Sequence, residues 1–304
     1  MSDFKLNILG CGSASPTPFR NPSSQVIEYR GRLMMIDCGE GTQAMMRRMK
    51  LHFSRLTHIF ISHMHGDHCL GLPGLLSTLA LNGKTGTVTV VLPKDGVEIM
   101  RANTDYFCRE APFEIIYQPI EGNGGLVLDL PGLTVEAFPL FHRIPTYGFL
   151  LKEKPKCRHL RGDMVKFLQI PIAKLKDIKE GADFVKPDGT IVPNERITSP
   201  ADASASYAYC SDTMFNPRVA ESIKGVDVVY HEATYDSSLK ESAVARGHST
   251  ATEAGEIAAL ANAKRLIIGH FSKRYTNVEA LAEEARTKFP NVIAARDGLK
   301  IELL

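Results

Sequence analysis

The stretch that most limits what this chain can become is His63-Met64-His65-Gly66-Asp67-His68, set directly behind Thr57-His58-Ile59-Phe60-Ile61-Ser62. The residues from Thr57 to Ser62 are expected to form a short buried strand. The ligand-type side chains His63, His65, Asp67 and His68 then leave its C-terminal end on a loop. Gly66, lacking a Cβ, is expected to let that loop turn tightly. Leu70 to Leu81 is expected to be helical. Imidazoles and a carboxylate at this density suit a borderline divalent cation such as zinc. Core packing explains a lone histidine, but it gives three of them no reason to crowd one strand end.

Other chemistry-bearing residues recur at the same kind of position. Strands are expected at Phe4–Leu9, Ser24–Tyr29, Leu33–Ile36, Thr87–Leu92, Phe113–Pro119, Leu126–Leu130, Leu133–Leu140, Tyr147–Leu151, Ser206–Cys210, Val226–Tyr230, Arg265–Ile268, Val292–Ala295 and Leu299–Leu303. Helices are expected at Thr42–Met49, Gly96–Cys108, Thr250–Asn262, capped by Thr250 or Ser249, and Val278–Thr287. His142, Asp212, His231 and His270 each fall just behind one of these strands. Strand C-terminal ends in a layered α/β fold can converge on one edge. Seven oxygen and nitrogen ligands exceed what one tetrahedral zinc with an open position takes. They suit two cations bridged by a carboxylate and water, an arrangement that serves phosphoester hydrolysis by stabilising attacking and leaving oxygens together. His231 is either a partner that orients a ligand histidine or a plain strand-end residue. Asp37, behind Leu33–Ile36, either holds the histidine loop by hydrogen bonds or is a turn residue. The glycines of Gly10-Cys11-Gly12 hint only weakly at a phosphate loop, since no helix follows.

Composition narrows the class further. The 304 residues, 44% of them hydrophobic, can bury a large core as one big domain or two ordinary ones. A net charge of +2 says little about partners. Six cysteines without a CxxC pair argue against a disulfide framework and for a reducing compartment. No signal peptide and no apolar run of membrane-spanning length is visible, so a soluble cytoplasmic protein is expected. The local exception is Lys152 to Lys186, with ten Lys/Arg against five Asp/Glu, punctuated by prolines and glycines. It is expected to be an inserted arm with a basic face, serving either nucleic-acid phosphates or only solvent. Met45, Met46 and Met49 on one short helix are either a core-facing stripe or an apolar contact surface. His52, His58 and His159 stand outside any motif.

His63-Met64-His65-Gly66-Asp67-His68 resembles the HxHxDH signature of the metallo-β-lactamase superfamily. The resemblance narrows to the short form of ribonuclease Z, the tRNA 3′-processing endonucleases. It is carried by Arg20-Asn21, Asp37-Cys38-Gly39-Glu40-Gly41-Thr42-Gln43, Ser211-Asp212-Thr213, His231-Glu232-Ala233-Thr234, Gly247-His248-Ser249-Thr250 and Gly269-His270-Phe271-Ser272-Lys273-Arg274-Tyr275. It implies an α/β fold, a four-layer αββα sandwich formed by a single domain over 1–304, with an inserted tRNA-binding arm at about 152–200. It implies two zinc ions per subunit, other divalent metals being possible. His63, His65, His142 and Asp212 would hold one, and Asp67, His68, Asp212 and His270 the other. Asp67 would also orient or deprotonate the attacking water, and His248, supported by Glu232, would protonate the leaving oxygen. The implied substrate is precursor tRNA, cut to leave a 3′-hydroxyl, and a homodimer is implied. The arm departs from the family's GIPxGP-like stretch: Gln169-Ile170-Pro171-Ile172-Ala173-Lys174 keeps Ile-Pro and lacks both glycines.

Three rivals share much of this pattern. A phosphodiesterase or arylsulfatase of the same fold acting on a small ester would have no need of the basic arm. A non-catalytic RNA-binding relative would be expected to have lost ligands, and none is missing. An iron-bound oxidoreductase on the same scaffold is disfavoured by Asp67-His68 and by the two motifs around Glu232 and His248.

Overall fold

In the computed structural model, which describes residues 4–303, two seven-stranded sheets carry the architecture. The first runs Lys300–Glu302, Phe4–Gly10, Ser24–Tyr29, Arg32–Cys38, Leu56–Phe60, Thr87–Pro93, Glu114–Ile120. Its first three pairings are antiparallel and its last three parallel. The second runs Val292–Ala294, Arg265–Gly269, Val228–Glu232, Ser206–Cys210, Tyr147–Glu153, Leu133–Pro139, Gly125–Leu130, and its first three pairings are parallel. Parallel neighbours deliver their C-terminal ends to one edge, which is why residues far apart in sequence meet there.

The sheets face each other. The Phe60 and Phe149 rings lie 5.3 Å apart, the Tyr207 hydroxyl donates to Gln25, and the Tyr209 hydroxyl donates to Asp37 at 2.7 Å. Helices cover the outer faces. Leu72–Leu81 buries Leu72, Leu75, Leu76 and Leu79 at helical spacing. These pack with Leu33, Met35, Ile59 and Val90 of the first sheet. Covered on both sides, Leu33, Met34, Met35 and Ile36 are all fully buried, so the strand reads as an unbroken apolar run instead of an alternation. Met45, Met46 and Met49 join the same core, which settles them as a core stripe. Ala251–Leu260 backs the second sheet. It starts in a capping box, with the Thr250 side chain on the Glu253 amide and the Glu253 carboxylate on the Thr250 amide. This is the expected αββα sandwich.

Two local expectations need correction. Gly66 makes no tight loop turn: it opens the short helix Gly66–Cys69 behind His65, with no positive φ, and helix resumes at Leu72. The strand expected to stop at Tyr230 runs on through His231 and Glu232, because it pairs in parallel with Arg265–Gly269 up to that point.

The chain divides into two compact units. The larger takes the described residues through Asp129, Thr134–Leu151 and those from Ala205 onward. The smaller takes Leu130–Leu133 and Lys152–Ser204. Ile170, Ile178, Phe184, Val192 and Ile197 form a core of its own, with Leu160, Val165, Leu168 and Leu175 packed around it. Inside it the Asn194 side chain donates to the Ile178 and Ala182 carbonyls. Lys152, Arg161, Lys166, Lys174, Lys176 and Lys179 are exposed on it. Gln169, where the family stretch has a glycine, adopts a left-handed φ of 49°. No helix among the described residues is long and apolar enough to cross a membrane.

Candidate metal centre

The larger unit gathers its strand ends around two groups of ligand atoms. In the first, His65 Nδ1 lies 3.1 Å from His63 Nε2 and 3.2 Å from His142 Nε2. Asp212 Oδ2 lies 3.6 Å from His63 Nε2 and 3.9 Å from His142 Nε2. In the second, Asp67 Oδ2 lies 3.5 Å from His68 Nε2 and 3.4 Å from His270 Nε2, and these two nitrogens are 3.3 Å apart. Asp212 Oδ1 faces this second group, 3.4 Å from His68 Nε2 and 3.2 Å from His270 Nε2. One carboxylate thus presents an oxygen to each group. His248 lies against the same carboxylate, its Nδ1 3.9 Å from Asp212 Oδ2.

A divalent cation fits this donor set. Asp212 Oδ1 is buried and accepts no hydrogen bond, a costly state for a carboxylate oxygen unless a cation compensates it. Burial disfavours charge on Asp212, yet the imidazoles of His270, His68, His248 and His63 hold its carboxyl well below the usual range. Burial likewise opposes a charge on His68, and Asp212, Asp67 and Asp37 overcome it, raising its proton affinity well above the ordinary value. Carboxylates that draw a proton onto a buried imidazole offer the same attraction to a metal ion. His63, buried next to His68, is pushed well below its ordinary pKa, which keeps its nitrogen free to ligate.

The ring orientations are set from behind. Asp37, fully buried, accepts from the Ser62 amide at 2.7 Å, the Ser62 hydroxyl at 2.9 Å, the Tyr209 hydroxyl at 2.7 Å and His68 Nδ1 at 2.7 Å. Of its two readings, the loop-holding one is what the geometry supports. The Ser62 hydroxyl in turn lies 3.0 Å from His63 Nδ1. His142 Nδ1 donates to the Gly247 carbonyl at 2.7 Å. Gly247 ends the helix Lys240–Arg246 at a φ of 76°, and a Cβ there would come within 2.6 Å of His142 Nδ1, so only glycine fits. Each bond engages Nδ1 and leaves Nε2 facing the ligand group. The Ala14 amide donates to Asp67 Oδ2 at 2.7 Å. Ala14, Asp37 and His270 hold left-handed backbone at φ of 61°, 56° and 56°, conformations a side chain keeps only under outside constraint.

A second buried carboxylate organises the other side. Glu232 Oε1 accepts from His248 Nδ1 at 2.9 Å and from the Thr213 and Ser249 amides. Burial depresses the charged form of His248, but Glu232 and Asp212 outweigh it and raise its pKa to about 9. His248 opens to a cleft lined by Asp67, Arg143, Arg246, His270, Lys273 and Arg274. Arg274 stacks on the Tyr235 ring at 5.1 Å and Arg246 donates to the Tyr235 hydroxyl at 3.0 Å, which fixes two cations of the cleft wall.

All nine residues singled out as candidate ligands or catalysts therefore lie together. His231 stays outside both groups; its Nδ1 bonds the Glu232 carbonyl and its Nε2 is buried without a partner. His52 and His159 are exposed, and His58 stacks on Phe60. Nothing in the sequence marks Ser62, the Ala14 amide or the Gly247 carbonyl as orienting groups. Main-chain groups leave no mark in a sequence, and hydroxyl residues are too common to signal anything.

A relative named Ribonuclease Z from Parabacteroides distasonis is 48% identical over 304 residues, covering all of both chains. The crystal structure of human tRNase Z, short form, superposes with a TM-score of 0.72 at 26% identity over 99% of each chain. The metallo-β-lactamase fold protein YhfI from Bacillus subtilis matches at a TM-score of 0.69 and 17% identity over 98% of each chain, a likeness of fold. Residues 4–153 also match the family model described as Anti-Pycsar protein Apyc1.

Proposed function

The chain belongs to the ribonuclease Z family, and on that premise we propose that it is a metal-dependent endoribonuclease that removes 3′ trailers from tRNA precursors. The observation that carries this is the split carboxylate of Asp212, one oxygen toward each nitrogen group, beside His248 bonded to Glu232 in one basic cleft. His63, His65, His142 and Asp212 would hold one divalent ion and Asp67, His68, His270 and Asp212 a second, both zinc on this account. Bound there, the ions would supply positive charge to the scissile phosphate and make a water molecule acidic enough to attack it.

The chain's own groups supply the rest. Asp67, pinned by the Ala14 amide, orients the attacking water and takes its proton. Water oxygen bonds to phosphorus, the bond from phosphorus to the 3′ oxygen of the last retained nucleotide breaks, and His248 gives that oxygen its proton. The tRNA keeps a 3′-hydroxyl and the trailer leaves with a 5′-phosphate. Glu232 keeps His248 charged and correctly turned. Arg143, Arg246, Lys273 and Arg274 neutralise backbone phosphates in the cleft. The exposed lysines of the smaller unit grip tRNA by charge and shape rather than by sequence. The homodimer and the cytoplasmic setting belong to this account by family resemblance.

The test uses a 3′-extended tRNA precursor with mapped product ends, and bis-p-nitrophenyl phosphate beside it. The wild type is expected to cut behind the discriminator nucleotide, and Asp67→Ala to be dead on both substrates. The triple variant Lys174→Glu, Lys176→Glu, Lys179→Glu is expected to lose at least about tenfold on tRNA alone, since each lost phosphate contact costs affinity. A wild type that hydrolyses the small ester and leaves tRNA intact would favour the small-ester phosphodiesterase and overturn the tRNA assignment.

A further inference from the structure

We propose that the Thr234 hydroxyl is the positioning group that fixes His270 with Nε2 turned toward the second ligand group; this rests on the two-group account above. Thr234 is buried on the turn behind the strand Val228–Glu232. Its Oγ1 lies 2.7 Å from Glu232 Oε2, 2.8 Å from His270 Nδ1 and 3.4 Å from His248 Nδ1. A hydroxyl has one proton to give, and a carboxylate can only accept. The Thr234 proton therefore goes to Glu232 Oε2. His248 Nδ1 already has the shorter bond to Glu232 Oε1, at 2.9 Å. The Thr234 lone pair is left to His270, so His270 Nδ1 must carry its ring proton. Nε2 is then the bare nitrogen, and it faces Asp67 Oδ2 at 3.4 Å and Asp212 Oδ1 at 3.2 Å.

The backbone adds weight. His270 sits in left-handed conformation, which a residue with a side chain keeps only under outside constraint. It needs an outside tether, and Thr234 Oγ1 is the group bonded to its Nδ1. The Thr234 amide also donates to Glu232 Oε2 at 3.0 Å, which keeps the hydroxyl in place. Glu232 thereby reaches His270 through Thr234 as well as His248 directly.

Thr234→Val removes the hydroxyl at nearly constant shape, and Thr234→Ser restores it without the methyl. The readout is cobalt(II) titration of metal-stripped protein, followed by d–d absorption and checked by chelator competition. Wild type is expected to take two ions. Thr234→Val is expected to bind the second about 10–100-fold more weakly, the range for losing a group that orients a ligand, and the first within about threefold of wild type. Thr234→Ser is expected to stay within about threefold for both. Two ions of unaltered affinity in Thr234→Val would overturn the assignment, as would a serine variant as weak as the valine one, since packing would then be the cause. A wild type that binds fewer than two ions would overturn the two-group account and this assignment with it.

Discussion

Asp37 and Glu232 are two buried carboxylates on opposite sheets with the same wiring and different surroundings. Asp37 is the last residue but one of the strand Arg32–Cys38, and Glu232 ends Val228–Glu232. Each holds one histidine directly, His68 at 2.7 Å and His248 at 2.9 Å. Each reaches a second through a hydroxyl, His63 through Ser62 and His270 through Thr234. Both also accept main-chain amides, so neither can leave its place cheaply. The difference is access. His63 and His68 are sealed from solvent, whereas the His248 side chain is 13% exposed and reaches the cleft. Pairing a histidine with a carboxylate therefore does not decide what the histidine does. Sealed, it can only be held in place as a ligand; open to the cleft, it can pass its proton to a bound substrate.

The largest effect should come from Asp37→Asn. Asn keeps the shape and tolerates left-handed backbone, but the charge that orders His68 and, through Ser62, His63 is gone. One histidine belongs to each proposed ligand group. Cobalt(II) titration is expected to show both ions weakened about 10–100-fold, and thermal melting a loss of about 1–3 kcal/mol from buried donors poorly satisfied. Loss of one ion alone would break the symmetry argued above.

Glu232→Gln should do something else. His248 loses the partner that keeps it charged at neutral pH, so turnover on precursor tRNA is expected to fall about 100-fold. KM should move little, and the ion proposed at His63, His65 and His142 should bind as in wild type. If the variant loses both ions as Asp37→Asn does, the two carboxylates are one kind of device after all, and exposure does not separate them.

The parts of this arrangement differ in how legible they were. The candidate ligands stand out because histidines and aspartates behind apolar runs are rare and chemically specific, as at His63, Asp212 and His270. The carboxylates behind them were half legible: Asp37 admitted two readings, and Glu232 took its role from the family motif. The hydroxyls were invisible. Ser62 meets Ser211, and Thr234 meets His270, across the fold, and no local pattern announces such a meeting. Gly66 misled for the opposite reason, since a glycine in a loop-like string invites a turn where the backbone in fact begins a helix. In the smaller unit the basic charge was plain, but Ile170, Ile178, Phe184, Val192 and Ile197 lie too far apart in sequence to announce a core.

Ser62→Ala is expected to give the smallest effect, and it bears most closely on the likeness between the two sides. Ser62 Oγ does for His63 what Thr234 Oγ1 does for His270, but the ring it tethers is packed more closely. The Ser62 amide donates to Asp37 at 2.7 Å, as the Thr234 amide does to Glu232 at 3.0 Å, so either main chain stays tied when its hydroxyl goes. His63 is fully buried against His65, His68 and His142, with ring centroids 4.8, 4.1 and 5.3 Å away, so packing restrains its ring. His270, also buried, has two ring neighbours, His68 and His248, at 5.2 and 5.4 Å, and a left-handed backbone. Loss of one hydrogen bond should lower stability by about 0.5–1.5 kcal/mol. The first cobalt ion should weaken by less than about tenfold, toward the low end for an orienting group. A larger loss than that of Thr234→Val would mean that hydroxyl tethers, rather than packing, set both ligand groups.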